Sequence, residues 1–131
     1  MTKEELKEYK ETEREIKIIE EKIELLQSEK TSIKSLMITD MPRGEAEKDR
    51  LAKLLGEIEE LILVYNEKQT KLINQQKKIE NCIDKLDSSC ERNIMRLRYL
   101  EGYTWEKMCV ETDYSWNGIH KVHRKILEKI R

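Results

Sequence analysis

The chain has 131 residues, 40% charged and 37% hydrophobic, which supplies enough apolar side chains for helix seams but not for a thick globular core. A formal net charge of −1 argues against a uniformly basic nucleic-acid coat, and three cysteines with no CxxC pair suggest neither a disulfide framework nor a zinc site. No apolar run reaches signal-peptide or membrane-spanning length, so a soluble protein of a reducing cytoplasm, with no membrane partner, is expected.

In chain order, Thr2-Lys3-Glu4-Glu5 is a capping box that opens a helix. Ile16, Ile19, Ile23, Leu26, Ile33 and Met37 follow at three- and four-residue steps, a heptad seam interrupted by Lys30 at an a-type position. The Glu/Lys runs between residues 3 and 34 are the solvated flanks of that helix. From Thr39 to Gly44, Pro42 and Gly44 break helical continuity. A second seam then runs Leu51, Ile58, Tyr65, Leu72, Ile79 and Leu86 at a strict spacing of seven. Leu54, Leu55, Leu61, Ile62 and Ile83 are expected to widen it into a buried stripe. Residues 1–87 therefore form a helical hairpin or coiled coil, with its turn near 39–45. The second stripe is wide enough for a further partner, so a homodimer is expected, with Ile16, Ile23, Leu51, Ile58, Tyr65, Leu72 and Ile79 on the seam.

Residues 88–131 differ in charge, with nine Lys and Arg against six Asp and Glu, whereas both preceding segments carry an acidic excess. Ser88-Ser89-Cys90-Glu91 is a second capping box. It starts a helix near Ser89 that Ile94, Leu97 and Leu100 give an apolar face, and Gly102 ends it in the left-handed region. Two further helices are expected, Thr104 to Thr112 and Ser115 to Lys129, with Ser115 as N-cap of the last. With Trp105 counted as the first position, Met108, Thr112, Tyr114, Ile119 and Val122 fall where two crossing helices must face inward. Cys109 supplies the small side chain at their closest approach, and Asp113 takes the turn, where Asp tolerates positive φ better than most residues. This is the spacing of a helix-turn-helix at the end of a trihelical DNA-binding domain, all-α like the rest of the chain. An ordinary helical hairpin within a larger bundle has the same spacing.

The run Arg92-x-Ile94-Met95-x-Leu97-Arg98-Tyr99, then Gly102-Tyr103-Thr104-Trp105-Glu106-x-Met108, then Ser115 with Ile119 and Leu127, resembles region 4 of sigma-70-type bacterial sigma factors over about 40 residues. Cys109 and Asp113 stand where that pattern has a small alanine and a turn glycine. The whole chain, with its long charged helical N-terminal part and a Met41-Pro42-Arg43-Gly44 element, is similar to the sigma-region-4-like transcription regulators of Gram-positive phages, including the RinA/ArpU-type activators of late genes. The resemblance implies a phage or prophage regulator acting in the cytoplasm of a bacterial host. Under it, Arg98 pairs internally with a carboxylate such as Glu106.

Lys121, Arg124, Lys125, Lys129 and Arg131 crowd the last helix with only Glu128 opposing them, where phosphate contacts would be needed. If that helix enters the major groove of double-stranded promoter DNA, its outward residues are Trp116, Asn117, His120 and Lys121, with Arg124 one turn on. Asn can pair with adenine, Lys with guanine or a phosphate, and Trp can pack on a thymine methyl or a sugar. Tyr103 and Thr104 could hydrogen-bond a phosphate. Trp105 is expected in packing. His120 and His123 are expected to be solvated or phosphate-facing rather than metal ligands, since no third ligand lies nearby. No nucleophile–base arrangement, glycine-rich phosphate loop or metal constellation is present, so a non-enzyme without cofactor is expected.

The leading expectation is a dimeric, sequence-specific DNA-binding transcription regulator, an activator of a phage operon. A coiled-coil interaction protein that binds host RNA polymerase or another phage protein is the alternative. A small terminase-like binder of packaging DNA is a third.

Overall fold

The computed structural model describes residues 2–38 and 45–131. The expected turn at Met41-Pro42-Arg43-Gly44 and the Met37 side chain lie outside the described residues. The chain is all-helical, with a long N-terminal helix pair: α1 (Lys3–Ile38) and α2 (Glu45–Asp84). Then come α3 (Ser89–Met95), which continues in a wider turn over Arg96–Leu100, α4 (Trp105–Thr112) and α5 (Trp116–Lys129). No strand occurs among the described residues. The chain divides into two compact units, one made of Met1–Glu11 and Leu72–Arg131, the other of Thr12–Lys71.

In the unit Thr12–Lys71, α1 and α2 run antiparallel around Leu26, Ile33, Leu54 and Ile58, with Leu51 and Leu61 partly buried against them. Ile16 and Thr12 are buried, and Ile23, Lys30 and Tyr65 are half-buried. The seam is flanked by polar rungs. Lys68 meets Glu15 at 2.7 Å, and the Tyr65 hydroxyl donates to Glu20 Oε1 at 2.9 Å while accepting from Gln69 Nε2 at 2.8 Å. The hydrogen bond and charge of Lys68 hold the Glu15 carboxyl below its ordinary range. These rungs fix register more than they stabilise, because exposed pairs contribute little.

Leu55 and Ile62 do not widen the buried stripe as expected; they are 38% and 39% exposed. Two paired helices bury only the a and d rows facing each other, and a residue four beyond an a position stands to the side. The seam also begins earlier than Ile16, since Leu6, Tyr9 and Thr12 are already buried. Gly56 lies inside α2 with nothing within 4 Å of where a Cβ would stand. Gly56→Ala is therefore expected to raise the unfolding free energy by about 1 kcal/mol, measurable as a higher urea midpoint with unchanged slope.

The core of the other unit gathers Leu6 and Tyr9 from α1, Ile79 and Ile83 from α2, Leu86, Ile94, Met95 and Tyr99 from the α3 region, Met108 from α4, and Ile119 and Ile126 from α5. Leu72, Leu97, Leu100, Val122 and Tyr114 pack around it partly buried. Each short helix is started by a hydroxyl. Ser88 accepts from the Glu91 N–H at 3.4 Å, Thr104 from Lys107 at 3.2 Å, and Ser115 from Gly118 at 3.1 Å. The α3 box is not reciprocal: Glu91 Oε1 accepts from Lys129 Nζ at 2.6 Å, tying α5 to α3.

After Met95 the backbone widens. Glu101 N–H bonds the Arg96 carbonyl five residues back and Tyr103 N–H the Leu97 carbonyl six back, both at 2.9 Å, while Gly102 takes φ 72°. Only a residue without Cβ adopts that angle at little cost.

Candidate nucleic-acid interface

Three residues, Asp113 to Ser115, join α4 to α5. Asp113 takes φ 60°, the left-handed angle expected at this turn, and Ser115 caps α5. Met108 and Ile119, both 0% exposed, close the crossing between the helices, while Thr112, Tyr114 and Val122 are half-buried. The Thr112 hydroxyl donates to the Met108 carbonyl at 2.6 Å, so its polar atom is satisfied within α4. Cys109 is half-buried.

The two sides of α5 differ sharply. Ile119, His123 and Ile126 are buried, whereas Trp116, Asn117, Lys121, Arg124 and Lys125 are exposed and His120 is half-buried. All of the expected DNA-facing residues of α5 except His120 are therefore exposed. Tyr103 and Thr104 sit at the start of α4. Thr104 is exposed but its hydroxyl is occupied as the α4 cap, and Tyr103 is half-buried with Lys107 Nζ 4.0 Å from its ring centre.

Between α4 and α5 lies a cluster of rings and a guanidinium. Trp105 has Arg98 at 4.3 Å on its face, His120 at 4.4 Å and His123 at 4.8 Å from its ring centre, and Trp116 lies 4.7 Å from His120. Arg98 does not pair with Glu106 as expected. Its Nη1 donates to the Tyr103 carbonyl at 2.7 Å, because the left-handed Gly102 turns that carbonyl toward it, and the flat face of the guanidinium takes the indole. Burial pushes the Arg98 guanidinium below its ordinary value.

His123 is not solvated or phosphate-facing as expected but buried at 7% exposure, its Nε2 2.5 Å from the Tyr99 hydroxyl. Burial, reinforced by the charges of Arg98, Lys3 and His120, lowers its pKa to about 4. The ring is thus neutral near pH 7, and a neutral ring has a nitrogen that can accept the hydroxyl proton. Burial also pushes the Tyr99 phenol up to about 12, so that group remains a proton donor. The signal for His123 was present in the spacing: it lies four residues after Ile119 and three before Ile126, on the apolar face. Among the described residues no group of three His, Cys, Asp or Glu side chains is placed to hold a metal ion. No described helix is long and apolar enough to cross a membrane.

No family model matches the chain, and no curated protein or solved structure matches it.

Proposed function

We propose that α4 and α5 form a helix-turn-helix and that the protein is a sequence-specific DNA-binding regulator of transcription, of the kind its resemblance to sigma region 4 and to phage late-gene activators implies. The observation that carries this is the division of α5: one side is locked into the core, and the other presents Trp116, Asn117, Lys121, Arg124 and Lys125 to solvent. Such a helix offers an amide for a base edge and three cations for phosphates on a rigid support.

A homodimer would double the contact, since two units held together multiply their affinities through effective concentration. Leu55 and Ile62, seven residues apart on α2 and exposed, are the apolar positions a second copy would cover. The seam residues Ile16, Ile58 and Ile79 are buried within the chain itself and do not offer that surface.

Duplex promoter fragments from the source genome are expected to shift in a gel with the wild-type protein. Lys121→Ala with Arg124→Ala should weaken that shift by roughly tenfold or more at unchanged helicity, because each lost contact costs about 1 to 3 kcal/mol when it reads a base and less when it meets a phosphate. Unaltered binding by the double variant would rule out α5 as the reading helix.

A second reading, an interaction protein that docks RNA polymerase or another phage protein, is favoured by Ile18 and Leu25, seven apart on α1 and more than 60% exposed. Capture of polymerase with no duplex affinity would favour that reading.

A further inference from the structure

Within the unit that contains α5, the first turns of α1 lie against its exposed edge. Lys3, Lys7 and Lys10 fall at i, i+4 and i+7, one face of a helix. Together with Arg98, His120 and Arg124 they line a cleft of about 350 Å³ whose own lining holds no carboxylate, while Lys3 and Arg124 also border an adjoining cleft lined by Glu4 and Glu128. Among the described residues, the ion pairs Lys78–Glu5, Arg96–Asp84 and Lys129–Glu91 of this unit lie outside the cleft. His120 and Arg124 belong both to this cleft and to the sector of α5 assigned to DNA. The floor is aromatic: Tyr99, with Lys10 Nζ 5.9 Å from its ring centre, and Trp105 under Arg98.

A concave site that collects cations of one sign over a low-dielectric floor focuses positive potential and attracts anions. The remainder of α1 is not basic. Residues 1–38 carry eight Lys and Arg against ten Asp and Glu, so the facing of these three lysines toward α5 is a local arrangement rather than a consequence of overall charge. The sequence separates Lys3 from Arg124 by almost the whole chain, and folding brings them to one cleft.

We propose that this cleft is a second DNA-backbone contact, in which Lys3 and Lys7 of α1 hold phosphates of the strand flanking the groove that α5 enters. The inference rests on the helix-turn-helix reading of α5 and deepens it: the binding surface is composite, built from the first helix as well as the last. Lysine suits the task because it acts as a mobile point charge on a phosphate and carries no base preference.

The test is the salt dependence of duplex binding by the full chain, for the wild type, Lys3→Gln with Lys7→Gln, and Lys3→Arg with Lys7→Arg. A phosphate-binding lysine contributes about one to the slope of log affinity against log salt, and its loss weakens binding to all sequences alike. The glutamine variant is expected to lose about two from that slope and to weaken on target and unrelated duplexes by the same factor, while the arginine variant keeps the wild-type slope. Circular dichroism should be unchanged, since Lys3 and Lys7 are exposed. If the wild type binds DNA and the glutamine variant binds with the same slope, the α1 contact is overturned and the α5 reading stands. If the wild type binds no duplex at any salt concentration, both fall.

Discussion

Ile119→Ala is expected to lower the unfolding free energy by about 3 kcal/mol or more, since truncating a buried isoleucine costs roughly 2 to 5 kcal/mol in transfer and cavity terms. Ile119 is 0% exposed and belongs to the same core cluster as Met108, also at 0%, and Ile94. Its surroundings are pinned on several sides: the Thr104 and Ser115 caps hold the starts of α4 and α5, and Lys129–Glu91 ties α5 to α3. The cavity therefore cannot collapse easily, which keeps the loss away from the lower end of that range. Urea unfolding followed by tryptophan fluorescence would measure it, with Trp105 and Trp116 both reporting from this unit. Val110→Ala is the control. At 76% exposure its removal should change stability by less than about 0.5 kcal/mol. A loss below about 1 kcal/mol at Ile119 would mean that α4 and α5 do not cross as described.

The second large effect is acid destabilisation through His123. An unfolded histidine titrates near 6.5, and the folded ring near 4. Between those values the unfolded chain takes up a proton that the folded chain does not, so stability is complete above about pH 6.5, falls as pH drops, and levels off below about pH 4. The gap amounts to about 3 kcal/mol at its limit, of which about 2 should be lost between pH 7 and 4.5. His123→Gln keeps a group that can accept from the Tyr99 hydroxyl but does not titrate. Unfolding curves for the two proteins at pH 7 and 4.5 should therefore show the wild type losing about 2 kcal/mol more than the variant, the shared carboxylate contribution cancelling in the difference. Equal losses would show that His123 does not carry the effect.

The elements set by local chemistry were legible in the residues. Ser88, Thr104 and Ser115 cap helices because a hydroxyl reaches the first free N–H groups, and Gly102 and Asp113 take positive φ where the periodic patterns stop. The heptad rows named the long pair, and Leu6, Tyr9 and Thr12 of α1 are buried ahead of the seam that begins in the sequence at Ile16. What the residues did not reveal depends on neighbours far away in sequence. Leu55 and Ile62 are hydrophobic enough to be buried, and only the narrowness of a two-helix seam leaves them outside. Arg98 has a carboxylate within easy sequence reach at Glu106, yet the wide turn after Met95 delivers a carbonyl and an indole instead. The cleft joining Lys3 and Lys7 to Arg124 has no local signature, because it exists only once the first helix packs beside the last.

The fourteen residues of α5 serve two demands at once. Ile119, His123 and Ile126 pack in the core of the unit, while Asn117 and Lys121 face solvent and Trp116, though exposed, rests against His120. Exchange at the second set costs the fold little, so under the proposed DNA-binding function sequence preference can drift there by single steps without passing through an unstable intermediate. An inserted residue is another matter. One extra position inside α5 turns everything beyond it by about 100°, swinging the cations inward and the isoleucines out. Lineages of this protein should accordingly diversify by substitution on the outer sector of α5 and keep its length fixed.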